Sequence, residues 1–134
     1  MSGGGREPVW VSRRVAEAIH DLQLREHGGA AGLRDAGLLE SALSNPQTRR
    51  AYGGDPDLAD LAASYAVALV RDHPFVDGNK RTAFLVAYVF LALNGFDLDA
   101  PEEEVAATIW SLSSGKIDEA ALADWMRERG KRLA

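Results

Sequence analysis

The sequence of 134 residues contains no cysteine. This absence excludes disulfide bonds, thiolate metal sites and a cysteine nucleophile, and it is typical of a cytoplasmic protein. Long apolar runs are also missing, because the longest one, residues 82–93, is well short of the ~18 residues that a membrane span needs. The N-terminus lacks a basic segment followed by an apolar one, so the sequence predicts neither a signal peptide nor a membrane anchor.

Positively charged residues are fewer than negatively charged ones, with 15 lysine and arginine residues against 20 aspartate and glutamate residues. The formal net charge of −5 argues against direct nucleic-acid binding, which needs a basic surface. Any site for a nucleotide must therefore create its own local positive field. The length and the 46% hydrophobic content predict a single domain around one core. We expect residues 1–8 to form a flexible segment and residues 9–130 to form the domain.

Hydrophobic periodicity and capping residues predict an all-α bundle of six helices. The second helix should end at the Asn45-Pro46 pair, because proline disfavours helical backbone in the residue before it. The fourth helix, residues 79–93, is apolar on nearly every face, so we expect it to be the buried central helix. The six helices are predicted to begin after Ser12, after Asp35, at Asp55-Pro56, at Asn79, after Pro101 and after Asp118.

The most informative segment is residues 73–81, His-Pro-Phe-Val-Asp-Gly-Asn-Lys-Arg, which opens the fourth helix. The first turn of a buried helix presents unpaired backbone N–H groups and the positive end of the helix dipole, so it is a ready anion site. Lys80 and Arg81 add full positive charges to that turn. Gly78, followed by Asn79, lets the backbone approach a ligand closely and form a nest for phosphate oxygens.

Two more side chains of this segment suit chemistry on a phosphate. His73 can accept a proton from a hydroxyl group near neutral pH. Asp77 offers the single carboxylate with which proteins usually hold Mg²⁺, together with phosphate oxygens and water. Taken singly, each residue is more often an ordinary turn or surface residue, but their combination predicts a nucleotide site. Arg71, just upstream, could reach a phosphate or simply suit the C-terminus of the third helix.

The segment resembles the central motif of the Fic superfamily, HPFx(D/E)GN(G/K)R, and its lysine at the eighth position is similar to the Doc (death-on-curing) branch. Further similar stretches, such as Gly28-Gly29 and Asn94-Gly95, extend the resemblance over roughly residues 9–129. AMP-transferring Fic enzymes have glycine where this chain has Lys80, and usually a second arginine where it has Phe84. These two differences favour transfer of the terminal phosphate of a nucleoside triphosphate.

The resemblance implies a Doc-type toxin that phosphorylates a Ser or Thr of a translation elongation factor and arrests growth. It implies ATP as phosphate donor, Mg²⁺ as cofactor held by Asp77, His73 as general base, and catalytic cations at Lys80 and Arg81. The sequence lacks the Ser/Thr-x-x-x-Glu-Gly/Asn inhibitory motif, so an antitoxin in trans is implied. An AMP transferase with the same residues and a catalytically silent binding module are the alternatives.

Other polar segments have plainer interpretations. Residues 47–54 carry two cations, an aromatic residue and a Gly-Gly pair without apolar periodicity, which favours a surface loop. In Fic-like proteins the corresponding segment is a flap that pairs with the backbone of the target protein, as an exposed strand edge would. His20 and His27 have no carboxylate pattern typical of a metal site, so we expect structural roles for them.

Overall fold

The computed structural model describes residues 7–133, so most of the segment predicted to be flexible lies outside the described residues. The described chain confirms the all-α class: six helices pack together, and a two-stranded antiparallel sheet is the only addition within residues 7–133. Within residues 7–133, none of the helices combines the length and the apolar character of a membrane span. The elements are α1 Arg13–His27, α2 Ala36–Ala51, α3 Leu58–Asp72, α4 Asn79–Leu93, β1 Phe96–Leu98, α5 Glu102–Ser113, α6 Glu119–Arg129 and β2 Gly130–Arg132.

Helix starts follow the capping residues closely. Ser12, Asp35 and Asp118 each accept a hydrogen bond from the backbone N–H three residues further on, as N-caps do. α3 begins slightly later than predicted, after Asp57, whose carboxylate forms a reciprocal capping box with Asp60. The local capping chemistry therefore determines where these four helices begin.

α2 is longer than the sequence predicted, because it continues through Pro46 to Ala51. Pro46 is fully buried, and the Nδ2 of Asn45 donates to the Oγ of Ser64 on α3 at 2.8 Å. Packing against α3 thus compensates for the one backbone hydrogen bond that a proline removes from a helix. The prediction of a loop over residues 47–54 is wrong up to Ala51, and only the residues from Tyr52 onward form the connection to α3.

α3 is the most enclosed helix, with ten of its fifteen residues buried, and it packs against α2, α4 and α6. Five of the buried residues are alanines, which allow neighbouring helices to approach closely. The hydroxyl of Tyr65 accepts a hydrogen bond from the Val11 N–H at 2.9 Å, and burial raises the pKa of Tyr65 to about 12. α4, predicted to be the central helix, lies along α3 but keeps one side partly exposed. That partly exposed side forms one wall of a cavity.

Candidate active site

Residues 73–78 form the loop between α3 and α4, and residues 32–35 run antiparallel beside its first half. Three backbone hydrogen bonds of 2.7–3.0 Å and a bridge between Leu33 and Phe75 join the two segments. Phe75 is buried, so the loop is also fixed to the core. The polar residues that follow it are therefore presented from a rigid support.

His73 ends α3 in the left-handed backbone conformation, with φ +46°. This conformation costs a residue other than glycine on the order of 1 kcal/mol. It is held by the guanidinium of Arg34, which donates to the carbonyl oxygens of Asp72 and His73 at 2.7 Å each. The resulting turn leaves His73 exposed on the wall of the cavity. The predicted proton acceptor is thus accessible to a substrate hydroxyl.

The side chain of Asn79 holds the loop in shape and is not available to a ligand. Its Oδ1 accepts the Phe75 N–H at 3.0 Å, and its Nδ2 donates to the Phe75 carbonyl oxygen at 2.9 Å. The residue is buried. Asn79 therefore shapes the predicted phosphate nest from within the protein, while only its backbone N–H remains for an anion.

Replacing Asn79 with alanine should lower the free energy of unfolding by about 2 kcal/mol, because two hydrogen bonds are lost and a buried backbone N–H is left unpaired. Chemical denaturation of the purified variant measures this change. The matched control is Lys80→Ala, which truncates an exposed side chain on the same helical turn. Equal losses of stability in the two variants would contradict this role of Asn79.

Gly78 occupies a position where a side chain would overlap a neighbouring residue. It is the N-cap of α4, with φ +77°, a backbone conformation that favours glycine. α1 lies so close that a Cβ at this position would overlap the Nε2 of Gln23. Gln23 is 1% exposed, and neither of its amide atoms has a hydrogen-bond partner in the described part of the chain. The loop and α1 are therefore in direct contact at Gly78, where α4 begins.

The first turn of α4 has the open backbone groups from which the sequence predicted an anion site. No side chain caps this helix, and Thr82 is the first residue whose N–H bonds back, to the Gly78 carbonyl oxygen at 3.0 Å. The N–H groups of the three preceding residues have no acceptor within the helix. Lys80 and Arg81 are exposed, line the cavity and form no ion pair with any residue from 7 to 133. Their charges are available to an anionic ligand.

The cavity has a volume of about 930 Å³ and extends from the loop along α4 to β1 and α5. Its far wall carries Asp97 and Asp99, which sequence reasoning missed because no motif contains them. The hydroxyl of Tyr88 donates to Asp97 at 2.9 Å, and this hydrogen bond raises the pKa of Tyr88. The ammonium of Lys131, 2.8 Å from Asp99, holds the pKa of that carboxyl below its usual range. The uncompensated positive charge of the cavity therefore lies at the start of α4.

The carboxylate of Asp77 is exposed and lines the same cavity. Its Oδ1 accepts the Gly78 N–H at 2.8 Å and its Oδ2 accepts the Ala30 N–H at 3.2 Å, so each oxygen keeps a further acceptor position. Within residues 7–133, no group of three or more His, Cys, Asp or Glu side chains could hold a metal ion. One carboxylate beside the predicted phosphate site fits Mg²⁺ that is bound together with a nucleotide.

Arg71 is the one predicted site residue that the structure does not bring to the cavity. Its guanidinium binds the carboxylate of Asp72 at 2.8 Å, and this hydrogen bond raises the pKa of Arg71. The geometry thus agrees with the alternative interpretation, a cation at the C-terminus of α3. The predicted residues that the structure brings together are His73, Asp77, Gly78, Asn79, Lys80 and Arg81.

Sequence reasoning did not foresee that α1 supports the loop. His20 is buried, its ring stacks on Phe75 at 3.8 Å between centroids, and its Nε2 donates to the Asp77 carbonyl oxygen at 2.8 Å. His27, at the end of the same helix, lines the cavity. The spacing of these residues resembles that of any amphipathic helix, so no local signal distinguishes them.

Comparison with known proteins gives matches over most of the chain. A model of the Fic/DOC family matches residues 10–91. The protein named Protein kinase doc, from Escherichia phage P1, is 38% identical over 118 residues, which cover 87% of this chain and 92% of that protein. The protein named Toxin Doc, from Mycolicibacterium smegmatis, is 44% identical over 98 residues, which cover 65% of this chain and 75% of that protein. The region matched by the family model includes the loop and the first turn of α4.

Proposed function

Because the chain belongs to the Fic/Doc family, we propose that it is a Doc-type toxin that transfers the terminal phosphate of ATP to a Ser or Thr hydroxyl of a target protein. One observation carries the proposal: an exposed histidine, a carboxylate and an uncompensated cationic helix start line the same cavity. One relative bears the name Protein kinase doc, and the name of the other describes it as a toxin. These names support a protein kinase that acts as a toxin.

In the proposed reaction, His73 acts as general base. The target hydroxyl loses its proton to the imidazole as its oxygen forms a bond to the γ-phosphorus of ATP. The bond between that phosphorus and the oxygen bridging it to the β-phosphate breaks, and ADP leaves with the electron pair. The left-handed turn at residue 73 supports this role, because it directs the chain so that the ring remains exposed.

Charge on the transferred phosphate is offset by the start of α4. The unpaired N–H groups of its first turn and the cations Lys80 and Arg81 are already in place before a ligand binds. Such preorganised groups supply most of the catalysis in phosphoryl transfer. Asp77 would hold Mg²⁺, which neutralises phosphate charge when it is bound with the nucleotide.

Two residues favour phosphate transfer over AMP transfer. Lys80 occupies the position of the glycine in AMP-transferring Fic enzymes, and it adds both volume and charge at the anion site. Phe84 lines the cavity one turn further along α4, where those enzymes usually have a second arginine. This chain therefore has no cation at the second position that helps seat the nucleotide for AMP transfer.

We further propose an antitoxin partner in trans and a translation elongation factor as the target. The walls formed by α4 and α5 carry apolar side chains, including Phe84, Leu85, Ile109 and the half-exposed Trp110. An amphipathic helix that folds on binding is the class of ligand that such a groove accepts. An antitoxin segment in this groove would lie beside the start of α4 and would compete with a substrate.

The proposed reaction is tested by the fate of two labels. The purified protein is incubated with a cell extract and Mg²⁺, using ATP labelled at the γ-phosphate in one reaction and at the α-phosphate in another. We expect label from the γ-phosphate on a protein of the size of an elongation factor. Label from the α-phosphate would identify an AMP transferase, and no label from either would leave the silent binding module as the correct interpretation.

A further inference from the structure

The turn that ends α1 contacts the carboxylate of Asp77 from outside the loop. The backbone N–H of Ala30 donates to the Oδ2 of Asp77 at 3.2 Å, while the Gly78 N–H donates to its Oδ1 at 2.8 Å. His20 on the same helix donates to the Asp77 carbonyl oxygen at 2.8 Å. The residue is therefore fixed at its backbone and at both carboxylate oxygens, and two of these three hydrogen bonds come from α1 or its terminal turn.

The two glycines of this turn differ in what surrounds them. Gly28 has φ +80° and Gly29 has φ +118°, so both have backbone conformations that disfavour other residues. A Cβ at Gly28 would meet no atom within 4 Å. A Cβ at Gly29 would lie 2.9 Å from the Oδ2 of Asp77 and 3.1 Å from a methyl group of Leu24. Only Gly29 is thus required by the position of the carboxylate.

We propose that Gly29 and Ala30, in the turn that ends α1, are a positioning element for the Asp77 carboxylate, and that these two residues set the affinity of the site for Mg²⁺ bound with a nucleotide. The proposal rests on the proposed function, because it assumes that Asp77 holds Mg²⁺. Hydrogen bonds from a second layer of residues orient metal ligands, and their loss typically weakens metal binding by 10- to 100-fold. The Ala30 N–H is such a donor, and Gly29 leaves the space in which the hydrogen bond forms.

The test is a calorimetric titration of the full chain with the non-hydrolysable ATP analogue AMP-PNP, with and without Mg²⁺. Gly29→Ala should lower the Mg²⁺-dependent gain in affinity roughly tenfold or more, approaching the effect of Asp77→Asn. Gly28→Ala is the matched control, because it also places alanine at a positive φ but without a contact to Asp77. It should retain the gain within about twofold. Binding of AMP-PNP without Mg²⁺ should be similar in the wild type and in both glycine variants.

The thermal midpoint of each variant shows whether it is folded. If Gly29→Ala does not fold, Ala30→Pro replaces it, since proline removes the N–H donor without adding a Cβ at residue 29. A Mg²⁺-dependent gain that is equal in Gly29→Ala and Gly28→Ala, or a full gain in Ala30→Pro, would overturn the positioning role alone. A wild-type protein without any Mg²⁺-dependent gain would instead overturn the role of Asp77 in the proposed function.

Discussion

His73→Ala should lower phosphate transfer by roughly 100-fold or more, with the fold unchanged. The hydroxyl nucleophile must lose its proton as it attacks phosphorus, and alanine cannot accept that proton. The ring of His73 is exposed, so its removal creates no internal cavity. Alanine also has the same difficulty as histidine in the left-handed conformation, so the strain at residue 73 is nearly matched between the two proteins.

Initial rates of γ-phosphate transfer to the labelled target measure this effect, and a chemical denaturation curve verifies the fold. His27→Ala is the matched control, because this second histidine lines the same cavity but has no role in the proposed reaction. It should retain transfer within a few-fold of the wild type. Growth arrest at wild-type strength by His73→Ala would disprove the assignment of the general base.

Lys80→Gly should lower γ-phosphate transfer by roughly 100-fold, the typical cost of removing one group that stabilises transition-state charge. The same substitution removes the volume that distinguishes this cavity from that of AMP-transferring Fic enzymes. We therefore expect some AMP transfer to appear. Lys80→Met separates the two contributions, since methionine retains most of the volume but not the charge. It should lose phosphate transfer without gaining AMP transfer.

Mass spectrometry of the modified target distinguishes a phosphate from an AMP adduct in the wild type and both variants. If Lys80 were only an exposed residue at a helix start, its removal would relieve an unfavourable contact with the helix dipole. The stability of Lys80→Met would then rise by a few tenths of a kcal/mol, and activity would not change. An unaltered phosphate yield in Lys80→Gly would establish that simpler role.

Features governed by local chemistry were predictable from the sequence. The capping residues Ser12, Asp35 and Asp118 each accept a hydrogen bond from a backbone N–H only three residues further on. The cationic start of α4 follows from a short motif. Pro46 shows where local rules fail, because burial against α3 outweighs its poor helix propensity. The two strands were not predicted, because three residues are too few to show the alternation of polar and apolar residues that indicates a strand.

The candidate site, like the fold, was predictable from the sequence only where its residues are close together in the chain. Its chemically active side chains lie within nine consecutive residues, so spacing along the chain sufficed to find them. The residues that hold them come from elsewhere, as with His20 and Ala30, which contact Asp77 across a sequence separation of 57 and 47 residues. Arg71 gives the converse case. It is close to the motif in sequence, but its side chain is paired with Asp72 and does not line the cavity.

The contact between Gln23 and Gly78 constrains how this protein can diverge. A methyl group at residue 78 would overlap the amide of Gln23, so substitution of the glycine alone requires the buried Gln23 side chain, α1 or the loop to move. A shorter side chain at residue 23 makes room for that methyl group, and the remaining cost is the modest one of a left-handed backbone. Divergent lineages should therefore shorten residue 23 before they enlarge residue 78, and the two positions should covary.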